Sequence, residues 1–232
     1  MHIGLRLPGR GVTSRRTLAV LTSGGVDSAV LTADLARQGW EVQPLYIRLG
    51  LAWEATEETY LRRFLDALPP NLGPLPLVVL DLPISDVYGA HWSVSGANVP
   101  DATTPDSAVY LPGRNLLLLA KSTVWCALHG VEAIALGTLK GNPFADSGPE
   151  FLSLIGSLVQ LGLDRPLEVR TPFASLTKAQ VLELGRDLLL EHTFSCIAPV
   201  AARHCGRCNK CAERRDGFAR AGIEDRTLYS AA

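Results

Sequence analysis

The sequence predicts an α/β protein: a five-stranded, parallel, Rossmann-like sheet with a small C-terminal helical, metal-binding appendage. Three observations predict it. Short apolar runs alternate with helical patterns from Thr17 onward, a glycine-rich turn follows the first run, and four of the five cysteines crowd the C-terminal end. Strands that alternate with helices form a parallel sheet covered on both faces.

The elements follow in order. Residues 1–16 are rich in glycine and arginine and read as an N-terminal arm. The apolar runs at Thr17–Thr22, Val42–Ile47, Leu75–Leu80, Val131–Gly137 and Leu167–Arg170 read as strands. Helical periodicity marks Asp27–Gln38, Glu54–Leu68, Asn115–His129 and Pro149–Leu161. A further helix opens at the capping box Thr177-Lys178-Ala179-Gln180 and is expected to run to about Glu191. Ser85–Gly113 lacks periodicity, and a loop of that length is usually functional. The main domain therefore spans 17–191, and 192–232 is the cysteine-bearing appendage.

Composition narrows the function. The chain has 22 basic and 23 acidic side chains, a formal charge of −1, which disfavours a protein that grips nucleic acid through many phosphates. No apolar run reaches the roughly 18 residues of a membrane span. Ser14-Arg15-Arg16 before LAVLT resembles an export signal, but the run meets Gly24-Gly25 and Asp27 too soon. A cytoplasmic protein is the expectation.

Thr22-Ser23-Gly24-Gly25-Val26-Asp27-Ser28 lies between the first strand and the first helix. Glycines let an anion approach without a Cβ in the way, and the helix then aims unpaired N–H groups at it. Ser23 and Ser28 add hydroxyl donors. Asp27 beside a phosphate calls for a Mg²⁺ between them; the alternative is a plain helix start with Asp27 as N-cap. The lysine of the common phosphate loop is missing, so γ-phosphoryl chemistry is not indicated.

Cys196, Cys205, Cys208 and Cys211 form C-x8-C-x2-C-x2-C. Four thiolates complete tetrahedral Zn²⁺ and leave no open position, so a zinc here is structural. An iron–sulfur cluster uses the same donors, and His204 is a possible neighbour or substitute ligand. Cys126, on an apolar helix, reads as a core thiol.

The string S-G-G-x-D-S resembles the PP-loop ATP pyrophosphatases, whose fold is the adenine nucleotide alpha hydrolase type. The resemblance implies a loop of Thr22, Ser23, Gly24, Gly25, Val26, Asp27 and Ser28 that cradles the pyrophosphate end of ATP, with Tyr46 also meeting the nucleotide. Attack then falls on the α-phosphate. Further blocks narrow the likeness. Leu111-Pro112-Gly113-Arg114-Asn115, Thr171-Pro172-Phe173 with Thr177-Lys178, and the cysteine tail through Arg214-Arg215-Asp216-Gly217-Phe218 resemble the 7-cyano-7-deazaguanine synthases. The likeness covers nearly all of Thr17–Tyr229.

Read physically, Arg114 offers a planar fork to a phosphate or carboxylate, or is an exposed helix-start arginine. Lys140, in GTLKGN, neutralises developing pyrophosphate charge or is a solvated loop lysine. Lys178 sits in the first turn of its helix, where the dipole disfavours it, which points to an anionic partner. Asp27, Arg114, Lys140 and Lys178 are thus the expected catalytic set; Asp146, Arg114 and Asn115 are expected to bind substrate.

The chain departs from the family in two places. Phe144-Ala145-Asp146-Ser147-Gly148-Pro149-Glu150-Phe151 stands where Y-P-D-C-R-P-E-F is usual, and Arg48-Leu49-Gly50-Leu51 replaces a G-Q-R-H pattern. The resemblance implies an ATP-, Mg²⁺- and Zn²⁺-dependent homodimeric ligase. It would adenylate 7-carboxy-7-deazaguanine and use ammonia to form first the amide and then the nitrile. The alternatives are a paralogue acting on another carboxylate, a tRNA-modifying relative, or a non-enzymatic nucleotide sensor.

Overall fold

The computed structural model describes residues 16–230, so the expected arm at 1–16 lies almost wholly outside the described residues. The chain runs β1 (Thr17–Leu21), α1 (Val26–Arg37), β2 (Glu41–Arg48), α2 (Glu54–Asp66) and β3 (Val78–Asp81). Two single turns follow, α3 (Ser85–Tyr88) and α4 (Trp92–Ser95). The second half is α5 (Arg114–His129), β4 (Ala133–Ala135), α6 (Pro149–Leu163), β5 (Glu168–Arg170), α7 (Lys178–Leu184) and α8 (Asn209–Ala221).

All five strands pair in parallel in the order β3-β2-β1-β4-β5. The chain winds outward from β1 through β2 to β3, then crosses back to place β4 on the other side of β1. That reversal opens a crevice beyond the C-terminal ends of β1 and β4, where open α/β sheets bind ligands.

Strand alternation divides the core. Leu18 and Val20 of β1 face α1, α7 and α8 in one buried cluster, with Val30, Leu182 and Phe218. Ala19 faces the other way, with Leu45 and Ile134, onto Leu119, Cys126 and Ile155 of α5 and α6. A third cluster lies at the sheet's C-terminal edge, where Ile47, Leu49 and Trp53 pack with Val109, Leu111, Phe194 and the cysteines. This third cluster joins the long loop and the appendage to the site.

Several boundaries differ from expectation. β4 is three residues rather than Val131–Gly137, because its ladders with β1 and β5 reach only Ala133–Ala135. α7 stops at Leu184, not near Glu191, because Gly185 ends it. The long loop is not featureless, since it carries α3, α4 and a 3-10 turn at Asp106–Val109. Cys126 is fully buried, as expected, and burial pushes its thiol up to about 12.

Candidate active site

The glycine turn is tied to the neighbouring strand β2. Thr22 donates to the Leu45 carbonyl through its amide (2.9 Å) and hydroxyl (3.0 Å), and the Ser23 amide donates to Ser28 Oγ at 3.1 Å. The helix begins at Val26 with Gly25 as N-cap, and its first internal bond runs from the Ala29 amide to the Gly25 carbonyl at 3.1 Å. Asp27 is therefore a first-turn residue and not the cap. The amides of Val26, Asp27 and Ser28 precede the first bonded amide and are the natural anion donors.

Only one of the two glycines needs left-handed backbone. Gly24 has φ +72°, whereas Gly25 is extended at φ −70°. A Cβ at Gly24 would sit 2.9 Å from the Glu57 carbonyl oxygen. Gly24→Ala is expected to cost about 1–3 kcal/mol for the backbone alone. A lower thermal midpoint together with weaker ATP binding by calorimetry is the expected pair of readings.

A cavity of about 340 Å³ lies beyond the turn and gathers most of the expected site. Its lining includes the turn, Tyr46, Arg114, Asn115, Asp146 and Lys178. Both Asp27 carboxylate oxygens accept from Lys178 Nζ, at 2.7 and 2.9 Å. This answers the unfavourable helix position of Lys178: its anionic partner is a side chain 151 residues away. Glu213 lies 3.4 Å from the same Nζ and 2.5 Å from Lys210 Nζ. Burial alone would push Glu213 up, but the two ammonium groups outweigh it and hold the carboxyl at about 2.

Arg114 and Asn115 open α5 at the cavity's other wall. Arg114 Nε is buried with no hydrogen-bond partner, an open donor on a guanidinium that lines the cavity. Asp146 is buried and accepts from the Asn115 amide (3.0 Å) and Asn115 Nδ2 (3.3 Å). Each carboxylate oxygen keeps acceptor capacity for a ligand N–H. Tyr110 and Phe144 stack beside it, centroids 5.0 Å apart and planes 23° apart, as an aromatic wall.

Lys140 is not brought into the site. It is exposed and absent from the cavity lining, and its backbone amide donates to Leu176. The departures from the family pattern fall mostly outside as well. Ser147 is buried with its hydroxyl bonded to Phe144 O and Asn142 Oδ1, and Arg48 pairs with Glu58 and Asp81. Of these positions, Leu49, Leu51 and Phe144 line the cavity.

One acid lay unmarked in the sequence. Glu57, on α2, is buried against the turn and accepts from Tyr46 Oη at 2.9 Å. Burial pushes its carboxyl up to about 7, against the opposing pull of Arg114 and the Tyr46 bond, while Glu54 adds to the rise. The folded state then binds a proton more tightly than the unfolded chain, so stability falls as pH rises from about 4.5 to 7. At 1.36 kcal/mol per unit the loss is on the order of 3 kcal/mol. Glu57→Gln keeps an acceptor for Tyr46 and removes the titration. Its thermal midpoint is expected to fall less between pH 5 and 8 than that of the parent protein.

The four cysteines converge. Their Sγ atoms all lie within 4.8 Å of one another and are buried; Cys205–Cys211 and Cys196–Cys208 measure 4.0 and 3.9 Å. Tetrahedral Zn–S bonds of about 2.3 Å require S···S separations of about 3.8 Å, so the donor set fits a zinc-sized ion. Backbone amides of Ala198, Cys205, Arg207 and Cys208 point at the sulfurs from 3.3–3.4 Å. His204 is not part of the cluster; its Nε2 accepts from the Ser195 amide at 3.1 Å. The centre also braces the site. The Phe194 amide donates to the Gly24 carbonyl at 2.7 Å, and Asn209 and Arg207 bond the long loop at Pro100 and Ala102. Arg214, fully buried, clamps Leu190, Thr193 and Thr227 together.

The family model described as "Queuosine biosynthesis protein QueC" matches residues 17–222. The chain belongs to this family. A protein named 7-cyano-7-deazaguanine synthase from Syntrophobacter fumaroxidans is 31% identical over 240 residues, covering 94% of this chain and 98% of its own. One of the same name from Anaeromyxobacter sp. is 32% identical over 227 residues, covering 90% and 94%. Among solved structures, a 4-thiouridine synthetase in complex with RNA and bound ATP is similar with a TM-score of 0.50. That match is 18% identical and covers 89% of this chain and 51% of the other, so it bears on the fold alone. The match to this family places the chain among ligase-type enzymes whose PP-loop fold handles ATP. Among the described residues no helix is long and apolar enough to cross a membrane.

Proposed function

We propose that the protein is an ATP-dependent 7-cyano-7-deazaguanine synthase acting in queuosine precursor synthesis. One observation carries the reading: a single cavity at the sheet's switch point holds the glycine turn on one wall and Arg114, Asn115 and Asp146 on another. ATP's phosphates lie on the free amides of Val26–Ser28, with the α-phosphate turned toward the Arg114 wall. Asp146 and Asn115 take the N–H edge of the deazaguanine, and Tyr110 and Phe144 stack on its face.

The acid's carboxylate oxygen attacks the α-phosphorus and pyrophosphate leaves, giving an acyl-adenylate. Ammonia attacks the acyl carbon, AMP departs, and the nitrogen loses a proton to give the amide. A second ATP is attacked by the amide oxygen. Loss of AMP and a proton from the resulting imidoyl-adenylate leaves the nitrile. Arg114 and Lys178 face the negative charge that develops in both adenylations. Asp27 is suited to hold Mg²⁺, which takes one or two carboxylates plus substrate phosphates and waters, and which neutralises phosphate charge when bound. Cys196, Cys205, Cys208 and Cys211 would hold Zn²⁺ as a structural ion.

The chain is further proposed to work in the cytoplasm, as a homodimer. Leu154, Leu158 and Leu161 on α6 are all exposed at helical spacing, with Leu128 of α5 also exposed. Sedimentation at micromolar concentration is expected to give twice the chain mass. The activity is tested by supplying 7-carboxy-7-deazaguanine, ATP, Mg²⁺ and ammonium and following products by mass spectrometry. Two pyrophosphates per nitrile is the expected result. Pyrophosphate release that does not depend on this acid would refute the substrate assignment.

A further inference from the structure

The appendage contributes an ammonium group to the cavity. Lys210 stands in the first turn of α8, one residue before Cys211, and lines the cavity together with Asp27, Ser28 and Lys178. Glu213, one turn later, holds it: Glu213 Oε2 accepts from Lys210 Nζ at 2.5 Å, while Oε1 lies 3.4 Å from Lys178 Nζ. Lys178 in turn reaches both oxygens of Asp27. The result is a chain of alternating charge, Lys210–Glu213–Lys178–Asp27, that crosses from the appendage to the glycine turn.

The two lysines are not equivalent in this chain. Lys178 donates to Asp27 and lies against Glu213, so its N–H groups are engaged by two carboxylates. Lys210 makes a single hydrogen bond among the described residues, which leaves two of its three donors for a ligand. α8 is also shaped for its neighbour. A Cβ at Gly217 would lie 2.7 Å from Lys178 Cγ, so the absent side chain there is the groove in which the Lys178 stem rests. Helix α8 therefore fixes one lysine and supplies the other. An isolated surface ion pair at i,i+3 does little for stability, and this pair is instead a wall of the nucleotide cavity.

We propose that Lys210 is a pyrophosphate-binding residue, oriented by Glu213, which reaches ATP's terminal phosphates from the α8 wall of the cavity. This rests on the reading that the cavity takes the pyrophosphate end of ATP. It makes the metal-bearing appendage part of the nucleotide site and not only its brace.

The test is calorimetric titration of the full-length, metal-loaded protein with Mg²⁺-pyrophosphate, and separately with AMP, which lacks the two terminal phosphates. Lys210→Met is expected to weaken pyrophosphate binding about tenfold and leave AMP affinity and metal content unchanged. Lys210→Arg, which keeps the charge, is expected to recover most of the loss. The dependence of pyrophosphate affinity on salt should be shallower in Lys210→Met than in the parent. Pyrophosphate affinity in Lys210→Met within twofold of the parent overturns the proposal while leaving the nucleotide site standing. A parent protein that binds neither Mg²⁺-pyrophosphate nor Mg²⁺-ATP overturns the site itself, and the role of Lys210 with it.

Discussion

Replacing Asp27 by alanine is expected to abolish turnover, by at least about a hundredfold, while the protein keeps its metal and its fold. Loss of one preorganised charge-stabilising group typically costs about 10²–10³ in rate. Asp27 does more than one thing in the turn. It holds Lys178 Nζ through both oxygens, and it is the carboxylate of the glycine turn, where Mg²⁺ would meet the phosphates. Alanine removes both roles, yet Asp27 is not the helix cap and its side chain supports no backbone group. The metal content should therefore stay near that of the parent. Normal pyrophosphate release by Asp27→Ala would show that the turn works without this carboxylate.

Cys208→Ser is expected to have the largest effect on stability. Serine is a poor ligand for a soft thiolate site, so metal binding should be lost from a centre whose four sulfurs lie within 4.8 Å of one another. Losing a structural metal belongs with the largest single-site effects, about 5 kcal/mol. At roughly 2–4 °C per kcal/mol for a chain of this size, the midpoint falls by about 10–20 °C. The effect should reach the nucleotide site. Cys208 caps α8 and bridges Asp101, and the segment leading into the cysteine cluster bonds Gly24 through Phe194. ATP affinity is therefore expected to fall along with metal content. Retained ATP affinity in a metal-free Cys208→Ser would separate the two sites.

What the sequence makes legible is local. The five strands, the glycine turn, the Thr177 capping box and the cysteine spacing are each written in a few adjacent residues, and each appears where its chemistry requires. The capping box is complete, with Thr177 accepting from the Gln180 amide and Gln180 reaching back to Thr177. Strand order is not written locally; that β4 lies beside β1 is decided by burial of both sheet faces across the whole chain. The partner of Lys178 is invisible for the same reason, since nothing near residue 178 names Asp27.

Other differences have nearer causes. Gly185 followed by Arg186 and Asp187 is a helix stop that the apolar run Leu188–Leu190 obscures, and Leu188 and Leu190 pack into the core after the helix has ended. Lys140 follows β4 at the correct edge of the sheet, yet strand position does not fix where a flexible side chain points, and it remains in solvent. Glu57 is one of three acids in Glu54, Glu57 and Glu58, a run that reads as a solvated face; the backbone turn at Gly24 selects which of them is buried. Glu213 and Lys210 look like an ordinary surface pair on α8 until the fold lays that helix along α7.

Adenylation at the α-phosphate of ATP is the central step of the proposed reaction. The most direct measurement uses 7-carboxy-7-deazaguanine labelled with ¹⁸O in its carboxylate, incubated with the protein, ATP, Mg²⁺ and ammonium. The label is expected in the phosphate of AMP, with pyrophosphate unlabelled, because the acid's own oxygen becomes the bridge to phosphorus. Label in inorganic phosphate together with ADP would mean transfer of the γ-phosphoryl group, and would contradict the account.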